Sequence, residues 1–353
     1  MEHFANLPNL TSQAKQADPT QIMQVGLGFW ASKTLLSAIK LDLFSFLGEK
    51  KETGPTIGKG LGIHPSHLYD WLDALASMGF LHREGTGETA LYFNTLDTRT
   101  FLIKSSPQYI GGFLSMANDR EYRFWADLEE GLQTGEAQNE IKYTGKESFE
   151  AIYEDKDTLK SFTDAMGSIQ MGNFMAIAEK YDFSPYKKVV DIGGSGGVLA
   201  SVLAMKHEHL ELASFDLPAL TPLVEDTIKQ YGVEGRVKIH EGNFWFEKFP
   251  QADVYTMGNI LHSFSMKNKR RLIRKAYEGL PEGGALIIIE MILDDNRIEN
   301  SFGLLMSLNM LIESDGGFNY TFSEFDTWVK EAGFKRTEFF PLTGPVSAAI
   351  AYK

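Results

Sequence analysis

Five groups of residues in this chain are of types that can do chemistry together. The first is Asp191-Ile192-Gly193-Gly194-Ser195-Gly196-Gly197, four glycines and a carboxylate closing an apolar β-branched run from Val189. The second is Asp216 in Phe215-Asp216-Leu217-Pro218, 216 − 191 = 25 residues further on. The third is Gly242-Asn243-Phe244, the fourth is Met257-Gly258-Asn259 leading to His262, and the fifth is Glu290. Glycines after a strand let the backbone take positive φ and let a ligand approach the bare main chain. The helix that follows offers free N–H groups. A carboxylate ending the next strand can accept both hydroxyls of a ribose. Asn243 can face an adenine amino group and Phe244 its ring. The crevice is therefore expected to hold an adenosyl compound. No Lys-Ser/Thr pair follows the glycines, which excludes a P-loop. His262 and Glu290 supply a different chemistry. A carboxylate that holds one imidazole nitrogen fixes the tautomer and leaves the other nitrogen free as a base.

The elements that must position these residues follow from periodicity. Past a linker at Tyr181–Tyr186, strands and helices alternate: strands 188–192, 211–215, 236–240, 253–257 and 284–290, helices 197–206, 219–231 and 267–279, then a helix closed by Trp328, Val329, Ala332 and Phe334 and two last strands. That is a doubly wound α/β pattern, whose function sits at the carboxyl ends of the strands. The five groups all fall there. Residues 107–181 read as mostly helical, with a Met and aromatic stripe at Phe162, Met166, Ile169, Met171, Phe174 and Ile177, and a patch at Phe124, Trp125 and Leu128. Such stripes are commonly core, and Met also suits a pocket for flat aromatic ligands.

The N-terminal part reads as helix, turn, helix and hairpin, a winged-helix layout. Its second helix, SHLYDWLDALASMG, carries two acids and no Lys or Arg, and the whole chain of 353 residues has a formal net charge of −13. Both argue against a nucleic-acid partner. There is no cysteine, which removes disulfides and thiolate chemistry. No apolar run is long enough to span a bilayer and the first residues lack a signal pattern, so a cytoplasmic protein is expected. The division expected is 1–105, a dimerisation domain; 106–181, a helical connection lining the pocket; and 182–353, the cofactor-binding domain.

The motifs VVDIGGSGG at 189–197, FDLP at 215–218, GNF at 242–244, ADVYTMGNILHSF at 252–264 and GGALIIIEMIL at 283–293 resemble those of S-adenosylmethionine-dependent small-molecule O-methyltransferases of the caffeate, acetylserotonin and bacterial polyketide types. The resemblance covers nearly the whole chain. It implies a Rossmann-like class I methyltransferase domain behind a mostly helical winged-helix domain that makes an intertwined homodimer, with S-adenosyl-L-homocysteine as product and no metal. It implies cofactor binding by Asp191, Gly193, Gly194, Ser195, Asp216, Leu217, Asn243, Phe244 and Met257. It implies a general base in His262, oriented by Glu290 and Asn319, and an acceptor pocket including Trp125, Phe162, Met166, Asn259, Met310 and Ser314. The acceptor implied is a small aromatic or polycyclic hydroxyl compound.

The chain departs from the family pattern in three places. Ser195 stands where Gly is usual, Asn243 where Asp is frequent, and Gly316-Gly317-Phe318-Asn319-Tyr320-Thr321 where many members read Gly-Gly-Lys-Glu-Arg-Thr. An amide at 319 can orient an imidazole but cannot stabilise imidazolium as an anion does; Glu313 is a candidate to compensate. Rival readings are N-methylation or non-methyl-transfer chemistry on the same fold, a winged-helix regulator with a cofactor-sensing domain, and a dehydrogenase.

Overall fold

The computed structural model describes residues 17–145, 152–153 and 155–353. By compactness the chain divides between Thr95 and Leu96. By this measure residues 106–181 fall in the same unit as the sheet.

The first unit contains α1 (Thr20–Gly26), α2 (Gly28–Lys40), α3 (Leu43–Leu47), β1 (Glu52–Thr53), α4 (Gly54–Leu61), α5 (Leu68–Ser77), β2 (Leu81–Glu84) and β3 (Leu91–Asn94), with strand order β1-β3-β2, all antiparallel. Thr53 caps α4, whose second residue is Pro55, and left-handed Gly62 ends it. Leu36, Ile39, Leu43, Phe44, Leu47, Leu72 and Leu75 are buried. Ile22, Val25, Phe29 and Trp30 of α1 and α2 are more than half exposed.

The second unit is built on a seven-stranded sheet. Its strands are β4 (Lys188–Ile192), β5 (Glu211–Asp216), β6 (Val237–Glu241), β7 (Val254–Gly258), β8 (Ala285–Glu290), β9 (Arg336–Pro341) and β10 (Ser347–Tyr352), in the order β6-β5-β4-β7-β8-β10-β9. β4 to β8 are parallel, and β10 runs antiparallel between β8 and β9. The order reverses at β4, so the crevice beyond its carboxyl end is the topological switch point. Alternate residues feed two cores. Val189, Ile287 and Ile289 face one layer, while Val190, Leu286 and Ile288 face the other. The helices are α6 (Gly111–Met116), α7 (Leu128–Thr134), α8 (Lys156–Lys180), α9 (Val198–Lys206), α10 (Thr221–Gln230), α11 (Met266–Gly279), α12 (Ser301–Glu313) and α13 (Phe322–Ala332). Asp155 caps α8, and a capping box of Thr321 and Glu324 starts α13. Among the described residues no helix is long and apolar enough to cross a membrane.

Candidate active site

A cavity of about 440 Å³ opens at the switch point. That volume is typical of a site for small molecules. One end is the glycine turn. Gly193 and Gly197 have φ of +70° and +72°. A Cβ at Gly193 would collide with Ile260, at Gly194 with the Ser214 hydroxyl, and at Gly196 with Thr163. Only bare backbone fits there. Ser195 adopts the left-handed region at φ +48° despite its side chain. The conformation aims its N–H at Asp216 Oδ2, 2.8 Å away, while Leu217 N–H donates to Oδ1 at 2.7 Å. Burial raises the Asp216 carboxyl above its ordinary range, and these two N–H groups oppose that. Each oxygen keeps a further acceptor position for a diol. Asp191 lies deeper. Burial pushes it up to about 7, although Thr256 Oγ1 donates to it at 2.7 Å.

Asn243 and Phe244 line the same end, as do Asp191 and Leu217. Asn243 uses its side-chain oxygen to hold Trp245 N–H at 2.9 Å. That turns Phe244, whose ring meets Trp245 and Phe264 edge-on. Met257 is different. It is wholly buried in the sheet core and does not reach the cavity. On β7 its neighbours Thr256 and Gly258 are the residues directed to the other face, a consequence of the two-residue period.

His262 lies in a single helical turn after β7 and lines the cavity at 6% exposure. Burial pulls its pKa below the ordinary imidazole value, the Lys269 charge acts in the same direction, and Glu290 acts against both. The imidazole is therefore neutral at neutral pH, the form a base requires. Glu290 does not hold the ring, contrary to expectation. Its Oε1 accepts the His262 backbone N–H at 3.2 Å, and its Oε2 accepts the Tyr320 hydroxyl at 2.8 Å. Through these two bonds the carboxylate ties the His262 turn to the segment that follows Gly317.

The ring faces Asn319 instead. Asn319 Nδ2 donates to the Met291 carbonyl at 2.8 Å, which leaves Oδ1 as the free end of the amide. Asn319 Oδ1 and His262 Nδ1 are both buried without a hydrogen-bond partner. They lie close enough for the amide to favour the charged imidazole. Lys269 of α11 is wholly buried beneath this group. It donates to the Phe264 carbonyl at 2.5 Å and its Nζ lies 3.7 Å from the Phe318 ring centre.

Phe162, Met166, Asn259, Met310 and Ser314 line the rest of the cavity. Asn259 has φ +54°, and its Oδ1 is buried without a partner. Trp125 stands behind the wall, where its indole N–H donates to Asn309 Oδ1 at 2.7 Å; Asn309 is the residue that reaches the cavity. Glu313 also lines it, as do Arg120 and Glu121, which were not anticipated there. Glu313 is bound to Arg120 at 2.7 Å, so it does not stand in for a carboxylate at 319. Gln170 and Asn173, buried on the apolar face of α8, line the cavity too. Polar residues three apart on an otherwise apolar helix face were the available sequence signal.

The O-methyltransferase domain model matches residues 125–335, and the O-methyltransferase dimerisation domain model matches residues 23–104. The chain belongs to the O-methyltransferase family. The tetracenomycin polyketide synthesis 8-O-methyl transferase TcmO of Streptomyces glaucescens is 34% identical, over 98% of this chain and 99% of its own. The N,N-dimethyltransferase OxyT of Streptomyces rimosus is 31% identical, over 92% and 93%. The solved structure of human N-acetylserotonin methyltransferase in complex with S-adenosylmethionine shares the fold, with a TM-score of 0.89 and 24% identity over 97% of this chain and 99% of that one. The enzyme is an S-adenosylmethionine-dependent O-methyltransferase. The collisions that any Cβ would make at Gly193, Gly194 and Gly196, together with the paired acceptor positions of Asp216, fit that cofactor.

Proposed function

We propose that this methyltransferase acts on a hydroxyl of a small aromatic or polycyclic acceptor, with His262 as general base. The observation that carries the reading is one continuous cavity. It joins the glycine turn and Asp216 to a buried neutral imidazole and to a wall of Phe and Met side chains. When bound, S-adenosylmethionine supplies a methyl group activated on a sulfonium sulfur. Asp216 accepts its ribose hydroxyls, Phe244 and Asn243 flank the adenine, and the bare backbone at Gly193–Ser195 takes the methionine part. The Asn259 carbonyl and the Asn319 amide oxygen, both beside the ring, would favour a proton on one imidazole nitrogen and leave the other to take the hydroxyl proton as the methyl arrives. A phenol titrates near ~10 and a His near ~6.5, so the proton moves with methyl transfer rather than before it. Holding acceptor oxygen and methyl in line contributes the larger share. TcmO is by its name a polyketide O-methyltransferase, which supports a polycyclic acceptor. The exposed Ile22, Val25, Phe29 and Trp30 and the dimerisation domain model support a homodimer through the first unit.

The test is a His262→Ala variant assayed on a panel of hydroxyaromatics and matched anilines, with calorimetric binding of S-adenosylhomocysteine as control. Loss of hydroxyl methylation by about 10²–10⁴-fold with cofactor affinity retained is expected. Unchanged turnover would refute the base. Methylation of the anilines alone would favour nitrogen transfer, as named for OxyT.

A further inference from the structure

The acceptor wall carries charges that methyl transfer itself does not use. Among the described residues that line the cavity, Arg120 is the one Lys or Arg side chain. It is already engaged: its Nε and Nη2 bond to Glu140, and Nη2 also donates to Glu313 at 2.7 Å. Glu121, next in sequence, lines the same wall beside Asn309 and Glu313. The second Glu313 oxygen, Oε1, is buried with no partner. Counting Arg120 against Glu140 and Glu313 leaves one surplus negative charge before Glu121 is added. Burial and the Glu313 charge push Glu121 up to about 7. At the opposite end, which the cofactor would fill, the carboxyls are Asp191 and Asp216.

We propose, building on the hydroxyl-acceptor reading above, that Glu121 with Glu313 selects acceptors by charge: the acceptor bears no carboxylate and presents a hydrogen-bond donor, such as a hydroxyl, an amide N–H or an amine, to these two residues. A carboxylate entering the cavity loses its water, finds the guanidinium shared between two glutamates, and meets like charge at Glu121 and Glu313. A donor instead satisfies the orphaned Glu313 Oε1. Phe113, Met116, Phe162, Met166 and Met306 in the lining are apolar and indifferent to this choice.

The matched probes are 6-hydroxy-2-naphthoic acid and its carboxamide, nearly identical in shape and different in charge. Their binding to the full-length enzyme saturated with S-adenosylhomocysteine is measured by calorimetry at pH 8, for wild type and Glu121→Gln. Wild type is expected to bind the amide at least about tenfold more tightly than the acid, and Glu121→Gln to narrow that ratio by about threefold or more. An acid that binds wild type as well as the amide, or failure of both to bind, overturns the proposal even if the variant does not fold. A ratio unchanged in a folded Glu121→Gln overturns the part assigned to Glu121. Because the readout is binding, charge selection without product on adding S-adenosylmethionine would sink the hydroxyl-acceptor reading alone, and product from both probes with equal affinities would sink charge selection alone.

Discussion

Lys269 gives the sharpest test of the buried layer under His262. Its ammonium is wholly buried, bonded to the Phe264 carbonyl at 2.5 Å and set 3.7 Å from the Phe318 ring centre, with Glu290 and Glu324 as the carboxylates that favour its charge. Burial nevertheless dominates and lowers its pKa from 10.5 to about 8. At 1.36 kcal/mol for each pH unit, that gap corresponds to about 3 kcal/mol. Below pH 8 both folded and unfolded chains hold the proton, and folding bears the full cost of the buried charge. Between about 8 and 10.5 the unfolded chain binds more protons, so stability rises with pH; above 10.5 the cost is gone. In Lys269→Met, of similar length and without a titrating group, this contribution vanishes. Guanidinium unfolding of both proteins at steps from pH 7 to 10.5 should show wild-type stability minus variant stability increasing by about 3 kcal/mol across the range. Subtraction removes the other lysines and tyrosines, which the two proteins share. The same substitution removes one of the influences that hold the His262 pKa down, so the acid limb of the kcat/KM profile should move to higher pH. A stability difference that stays flat across the range would refute the buried-cation account.

Other outcomes follow from the site geometry. In Asp216→Asn, whichever way the amide turns, its NH₂ faces the N–H of Ser195 or of Leu217, and the charge available to the ribose is lost. Calorimetry should show S-adenosylhomocysteine binding weakened by about 2–3 kcal/mol, roughly 30- to 150-fold. Ser195→Gly relieves a side chain held at φ +48°, and should raise stability by about 0.5 kcal/mol once the greater freedom of glycine in the unfolded chain is offset, with cofactor affinity within about twofold; a thermal melt that falls would show that the hydroxyl has a bonding role. Trp125→Phe removes the donor that holds Asn309 at 2.7 Å, and acceptor KM should rise about fivefold while cofactor affinity stays constant. A parallel loss of cofactor affinity would show that Trp125 supports the whole cavity.

The sequence by itself determined the sheet and the cofactor crevice. Strand patterns have a period of two, glycines mark positions where a Cβ cannot fit, and the carboxylates end their strands, so all three signals are local. The strands at 188–192, 211–216, 237–241, 254–258 and 285–290 lie within a residue or so of their expected bounds for that reason. The family resemblance put Met257 at the cofactor, one residue out of phase with the face that lines the cavity, and Trp125 at the acceptor, a place that Asn309 holds. Tertiary structure alone decided what surrounds His262. Glu290 and His262 share a strand edge in the sequence pattern, yet the carboxylate meets the backbone N–H and Tyr320, 30 residues further along the chain, while Asn319 meets the ring. Arg120 and Glu313, 193 residues apart, form one wall of the cavity. Such pairings depend on where helices land against the sheet. Their orientation is set by burial of whole faces, which the spacing of individual charged residues does not encode.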